Sequence, residues 1–206
     1  MIKKIPSNVI PRLSLYYRSI LEARKDFLSS EEISKITYFS ASQIRKDLAY
    51  FGQFGIPSRG YDTKKLKKVI ERILGLDRKW EVVLVGVGNL GSALLSYKGF
   101  SQQGFYIRYA FDKDKRKIGK RVGSVLVRDI DELEKVLKKK KVSLAILAVP
   151  KEKVQSIVDR LVNCGIKAIL NFAPIRPYVP KGVIILNIDL SIELERLAYF
   201  LKRSLR

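Results

Sequence analysis

Val82-Val83-Leu84-Val85-Gly86-Val87-Gly88-Asn89-Leu90-Gly91 is a short apolar run that feeds directly into Gly-x-Gly-x-x-Gly and then into an Ala- and Leu-rich helical pattern. Strand, tight turn and helix in that order make a grip for a nucleotide. The three glycines do different things, in that Gly86 permits the turn, Gly88 lets backbone approach a pyrophosphate, and Gly91 lets the new helix pack close to the strand. The helix opening at Asn89 and Leu90 aims its unpaired N–H groups at the phosphates. The glycine pattern alone also suits a turn built only for packing. A second strand pattern, Tyr106-Ile107-Arg108-Tyr109-Ala110-Phe111, ends in Asp112. It places a carboxylate about twenty residues beyond the last glycine, where ribose hydroxyls would be received. That spacing points to NAD(H), while Lys113 and Arg116 beside it leave NADP open.

Downstream, strand and helix patterns alternate to the end of the chain. A hairpin is expected around Arg121 to Arg128, a helix over Asp131 to Lys138, and a strand over Val142 to Val149 ended by Pro150. A helix from about Lys151 to Asn163, strands at Ala168 to Phe172 and Val183 to Asn187, and a last helix from Leu190 to Lys202 follow. The unbroken apolar run after Lys141 is of the kind that parallel sheets bury on both faces. The fold class is therefore α/β, with a Rossmann-type doubly wound sheet.

Upstream the apolar period is helical, and the boundary falls near Gly75 to Lys79. A first helix starts at Pro11 and carries Leu13, Tyr16, Tyr17, Ile20, Leu21 and Phe27 on one face. Ser29-Ser30-Glu31-Glu32 has the spacing of a capping box leading into a short second helix. A third helix begins at Ser40 or Ala41 and runs through Phe51 until Gly52 stops it. Three short helices with a tight turn between the last two make a helix-turn-helix, whose final helix enters the major groove. Ile44, Leu48 and Phe51 face the core, leaving Ser42, Gln43, Arg45 and Lys46 outward. Gln can pair with adenine, Arg and Lys with guanine, and Ser or Lys with phosphate. A solvated basic face in a small interaction domain is the other reading of the same pattern. The stretch Gln53 to Asp62, rich in turn formers, reads as a wing, with Arg59, Gly60 and Tyr61 placed at the minor groove. Thr63 to Leu74 then returns to helix, with Leu66, Val69, Ile70 and Ile73 inward.

Charge and composition bound the partners. The formal net charge of +21, spread over both halves of the chain, favours a polyanion and salt-sensitive binding. No apolar run approaches the length of a membrane span, and Met1-Ile2-Lys3-Lys4 does not open a secretory leader. Cys164 is the only cysteine, so no intrachain disulfide forms, in keeping with a reducing cytoplasm.

The blocks Gln43 to Gly52, Gly86 to Leu94, Tyr97-Lys98-Gly99-Phe100, Ala148-Val149-Pro150, Gly165 to Pro174 and Asn187-Ile188-Asp189-Leu190 together resemble Rex, the bacterial redox-sensing transcriptional repressor family, over nearly the whole chain. The resemblance implies a winged-helix DNA-binding domain over 1–78, a Rossmann domain for NADH or NAD+ over 79–188, and a C-terminal helix over 189–206 swapped within a homodimer. It further implies a palindromic double-stranded operator and no catalysis. Cofactor contacts would come from Gly86, Gly88, Asn89, Leu90, Gly91, Asp112, Lys113, Val149, Pro150 and Tyr97. Carried over by position, Arg12, Tyr97 and Asp189 form a switch, in which Asp189 pairs with Arg12 across subunits in one state and with Tyr97 in the other.

Two segments depart from the family pattern. Ile56-Pro57-Ser58-Arg59-Gly60-Tyr61 stands where Arg-Gly-Val-Gly-Tyr is common, and Asp112-Lys113-Asp114-Lys115 replaces Asp-x-Asp-Pro and adds positive charge beside the adenosine ribose. Two rival readings remain in view. One is an NAD-dependent dehydrogenase, against which stands the complete lack of His and of any recognisable catalytic spacing. The other is a CoA- or nucleotide-binding Rossmann protein whose N-terminal helices contact protein rather than DNA.

Overall fold

The computed structural model describes residues 5–204, which form two compact units meeting between Arg78 and Lys79. The first unit comprises α1 (Val9–Ala23), β1 (Phe27–Leu28), α2 (Ser30–Thr37), α3 (Ala41–Ala49), β2 (Gly55–Ile56), β3 (Gly60–Asp62) and α4 (Thr63–Leu74). The capping box at the start of α2 is complete: the Glu32 N–H donates to the Ser29 hydroxyl, and the Ser29 N–H donates to the Glu32 carboxylate. Tyr38, at φ 60°, turns the chain sharply, and the Ser40 hydroxyl opens α3 by accepting from the Gln43 N–H. Leu13, Tyr16, Ile33, Ile44, Leu48, Leu66 and Ile70 close the core between these helices. β3 pairs antiparallel with β1 on one side and β2 on the other, which adds a small wing to the helix-turn-helix.

Three expectations for the helices of this unit change. Leu21 is exposed on α1 rather than part of its inward stripe, and Phe27 lies beyond the end of α1, on β1. α3 ends at Ala49, short of Phe51, because the Tyr50 and Phe51 N–H groups bond the carbonyls of Asp47 and Leu48 and tighten the last turn before Gly52 redirects the chain at φ 135°.

The second unit comprises β4 (Trp80–Val85), α5 (Asn89–Ser96), α6 (Lys98–Gln102), β5 (Phe105–Asp112), β6 (Arg121–Val122), β7 (Val125–Asp129), α7 (Leu133–Leu137), β8 (Leu144–Leu147), α8 (Val154–Asn163), β9 (Ala168–Asn171), β10 (Ile184–Asn187) and α9 (Leu190–Ser204). Short 3-10 turns at Ile130–Glu132 and Lys151–Lys153 lead into α7 and α8. The sheet order is β10-β9-β8-β4-β5-β7-β6, parallel throughout except for the β6–β7 hairpin. The order reverses at β4, between β5 and β8, so a crevice opens beyond the carboxyl ends of β4 and β8. β8 is shorter than the apolar run predicts: Val142 is buried in the core without joining the ladder, so its apolar character reports packing and not pairing. The helical pattern after Gly91 breaks at Tyr97, which is extended at φ −77° and ψ 107°.

At the end of β9 the Asn171 side chain is fully buried. Its amide nitrogen donates to the Ala173 and Ile175 carbonyls and to Asn187 Oδ1, and its oxygen accepts from the Ala173 N–H. This one side chain ties the Ala173 turn to the end of β10, just before Asp189. α9 by contrast buries nothing within the chain, and Leu190, Leu194, Leu197 and Leu201 form an exposed stripe at helical spacing. Among the described residues no helix is long and apolar enough to cross a membrane.

Candidate functional site

A cleft of about 500 Å³ lies beyond the carboxyl ends of β4 and β8, with Val85, Gly86 and Gly88 on one side and Ala148, Val149 and Pro150 on the other. Its glycines divide as their positions predict. Gly86 has φ +94°, and a Cβ there would strike the Ala148 carbonyl oxygen. A Cβ on Gly91 would strike the Gly86 carbonyl oxygen, so the third glycine allows α5 to meet the strand. At Gly88 a Cβ would meet nothing within 4 Å. That space is unused by the fold and faces a helix whose first turn, from Asn89 and Leu90, has no side-chain cap.

Asp112 is fixed in the lining of the cleft, at the end of β5. Its Oδ2 accepts from the Val87 N–H at 2.7 Å and its Oδ1 from the Asp114 N–H at 2.8 Å, with Lys117 Nζ at 3.7 Å. The carboxylate thus locks the glycine turn to the end of β5 and keeps lone pairs for further donors. Arg116 is engaged elsewhere, on Asp114, whose carboxyl its hydrogen bonds draw down to about 2. Lys113 lines the cleft, as do Lys117 and Lys153, which have no signature in the sequence. The lysines give the cleft the sign that an anionic dinucleotide requires. Tyr97 does not line it. The Tyr97 ring is exposed, packs edge-on against Phe100 at 5.1 Å, and lies where a Cβ of Gly99 would stand.

In the N-terminal unit, Ser42, Arg45 and Lys46 are exposed on α3. Arg45 Nη1 donates to Ser30 Oγ at 2.7 Å and to Glu31 Oε1 at 3.0 Å, which holds its guanidinium against the first turn of α2. Gln43 is half-buried, and its amide donates to Asp47 at 2.8 Å. Arg59 stands on the β2–β3 turn after Ser58 at φ 66°, with its guanidinium 5.7 Å from the centroid of the Phe27 ring. Arg45 and Arg59 both line a recess of about 490 Å³ between α2 and the wing. Gly60, at φ +87°, abuts the Leu28 carbonyl, which leaves no room for a side chain. Tyr61 requires a correction: the wing pattern places it at the groove, but its ring is buried in the core, because it alternates with Gly60 on the one strand paired on both sides.

Arg12 and Asp189 lie in different units. Within the chain, Arg12 forms a bidentate pair with Asp47, whereas Asp189 Oδ1 accepts from the Ser191 N–H in the first turn of α9. Sequence reasoning gives no place to the Asp47 carboxylate, which the structure buries against Arg12 and Tyr16. The signal it offers is an acid on the same helical face as Ile44 and Leu48, which demands a buried partner.

Comparison with known proteins bears on both units. A model described as a CoA binding domain matches residues 77–175, and one described as a putative DNA-binding protein N-terminus matches residues 4–49. The redox-sensing transcriptional repressor Rex of Desulfitobacterium hafniense is 46% identical over 199 residues, covering 95% of each chain. The crystal structure of RSP in complex with β-NAD+ and operator DNA superposes with a TM-score of 0.91 at 38% identity, covering 98% of this chain and 94% of that one. The complex of RSP with β-NADH gives 0.86 at 37% identity, covering 97% and 95%. With identity at this level across both units, the chain belongs to the Rex family of redox-sensing transcriptional repressors.

Proposed function

We propose that the chain acts as a homodimer that represses transcription by binding a palindromic double-stranded operator, and releases it when the NADH/NAD+ ratio rises. The observation that carries this reading is the pairing, in one chain, of a dinucleotide cleft left open at Gly88 with a helix-turn-helix that exposes Ser42, Arg45 and Lys46. The net charge of +21 suits the polyanion, and the RSP complexes supply both ligand classes in a relative. Release requires only that NADH favour a domain arrangement that cannot hold both half-sites. Arg12, Tyr97 and Asp189 serve as the switch: Asp189 of one protomer pairs with Arg12 of its partner in one state and with Tyr97 in the other. The exposed leucine stripe of α9 supports dimerisation, with α9 swapped between protomers. Operator DNA and NADH as ligands support operation in the cytoplasm.

The test is Arg45→Ala, measured by operator and NADH titrations at one salt concentration. Loss of a base or phosphate contact of about 1–3 kcal/mol should weaken operator binding by about fivefold or more and leave NADH affinity unchanged. Unaltered operator affinity would remove Arg45 from the interface.

A further inference from the structure

Five neighbouring strands of the sheet, β5, β4, β8, β9 and β10, share one register row at their carboxyl ends: Phe111, Val85, Leu147, Asn171 and Asn187. The residue after each of the last four donates its N–H back along the row, Gly86 to the Phe111 carbonyl, Ala148 to Val85, Phe172 to Leu147 and Ile188 to Asn171, at 2.8 to 2.9 Å. Gly86 and Ala148 line the dinucleotide cleft, and Ile188 stands just before α9. Phe111, Val85 and Leu147 are buried and apolar, whereas the equally buried Asn171 carries an amide. An apolar side chain would fill that position without taking a polar group out of water, so packing does not account for it.

What the amide joins is specific. Asn171 Oδ1 accepts from the Ala173 N–H at 3.0 Å, and Nδ2 faces the Ile175 carbonyl at 2.7 Å, Asn187 Oδ1 at 2.8 Å and the Ala173 carbonyl at 3.2 Å. Two protons serve three oxygens, so the two short bonds take one each and the Ala173 carbonyl is the spare acceptor. On the cleft side, Ala173 belongs to the core cluster against which Val149 of the cleft wall packs. On the other side, the Asn187 side chain and the Ile188 N–H both bond Asn171, and beyond them α9 buries no residue within the chain. The chain thus leaves the sheet from a point that Asn171 holds by both its carbonyl and its side chain.

We propose that Asn171 is a positioning residue that ties the wall of the dinucleotide cleft to the root of α9, so that a nucleotide in the cleft biases the helix through which two protomers join. A contiguous row of hydrogen bonds across a rigid sheet end is a path able to carry such a bias. This rests on the repressor reading, in which the cleft takes NADH and α9 joins the protomers.

The test titrates NADH into the free protein and into its complex with a palindromic Rex-family operator duplex at fixed salt, and takes the ratio of the two dissociation constants as the coupling. Asn187→Ala removes the acceptor, and Asn187→Asp presents it again. Asn187 is exposed within the chain, and the freed N–H of Asn171 keeps the Ala173 carbonyl, so both variants retain the fold. The coupling is expected to fall by about fivefold or more in Asn187→Ala and to return to within about twofold of the parent in Asn187→Asp. NADH affinity of the free protein and the melting temperature should match the parent in both. A merely structural contact would lower the melting temperature and leave the coupling at its parent value. Parental coupling in Asn187→Ala, or loss in both variants, overturns the role of Asn171 and leaves the repressor reading standing. A parent chain in which operator and NADH are uncoupled overturns both.

Discussion

Gly88→Val is expected to leave the dinucleotide-binding unit folded while weakening NADH binding by about a hundredfold. The backbone there, at φ −73° and ψ −163°, is open to any residue, and a Cβ meets no atom within 4 Å. The fold therefore has no need of a glycine at this position. A bound pyrophosphate does, because a branched side chain would stand between it and the N–H groups that open α5. Losing one or two charge-assisted hydrogen bonds costs about 3 kcal/mol, or about two decades in affinity. Gly91→Ala should behave differently, since its Cβ collides with the Gly86 carbonyl. Forcing α5 off the strand costs about 1–3 kcal/mol of stability, so its melting temperature should fall together with NADH affinity. Calorimetric titration and thermal melts of both variants check the contrast. Unchanged NADH affinity in Gly88→Val would place the dinucleotide outside this cleft.

The paired substitution Leu194→Glu with Leu197→Glu should convert the protein to a folded monomer. Both leucines are exposed within the chain, on a helix that buries no residue of its own, and lie on one stripe with Leu190 and Leu201. Ile184 and Leu186 on the edge strand β10 are exposed as well. In a two-fold assembly each leucine is buried twice, so at about 1.5 kcal/mol or more per side chain the pair contributes roughly 6 kcal/mol, about four decades in the dimer dissociation constant. NADH binding by each monomer should persist, and operator affinity should collapse because a monomer reads only one half-site. Sedimentation equilibrium reads the result. A variant that still sediments as a dimer would assign the interface to another surface.

The glycine motif, the alternation after it and the capping box at Ser29 were legible because each depends on neighbours close in sequence. The α/β class and the two-unit division followed from that alternation and from the helical period before Gly75, whereas the strand order came from the structure. What sequence did not show depends on contacts distant along the chain. Asp47 is an acid on an apolar face, and its bonds to Arg12 and Tyr16 join residues 35 and 31 positions apart. Tyr61 has the composition of a wing residue, but double pairing of its strand turns the ring into the core. Lys117 and Lys153 reach the cleft only because a turn and a 3-10 segment bring them there, and neither has a local signature. Tyr97, placed with the cofactor by resemblance, stands outside the cleft, on the break between α5 and α6.

The central claim, that one chain links dinucleotide state to operator occupancy, is tested most directly by titrating the preformed operator complex with NADH and, separately, with NAD+ at a single salt concentration. The account predicts release by NADH at concentrations where NAD+ leaves the complex intact, with operator in turn weakening NADH binding by the same factor. Equal release by both nucleotides, or by neither, would contradict it.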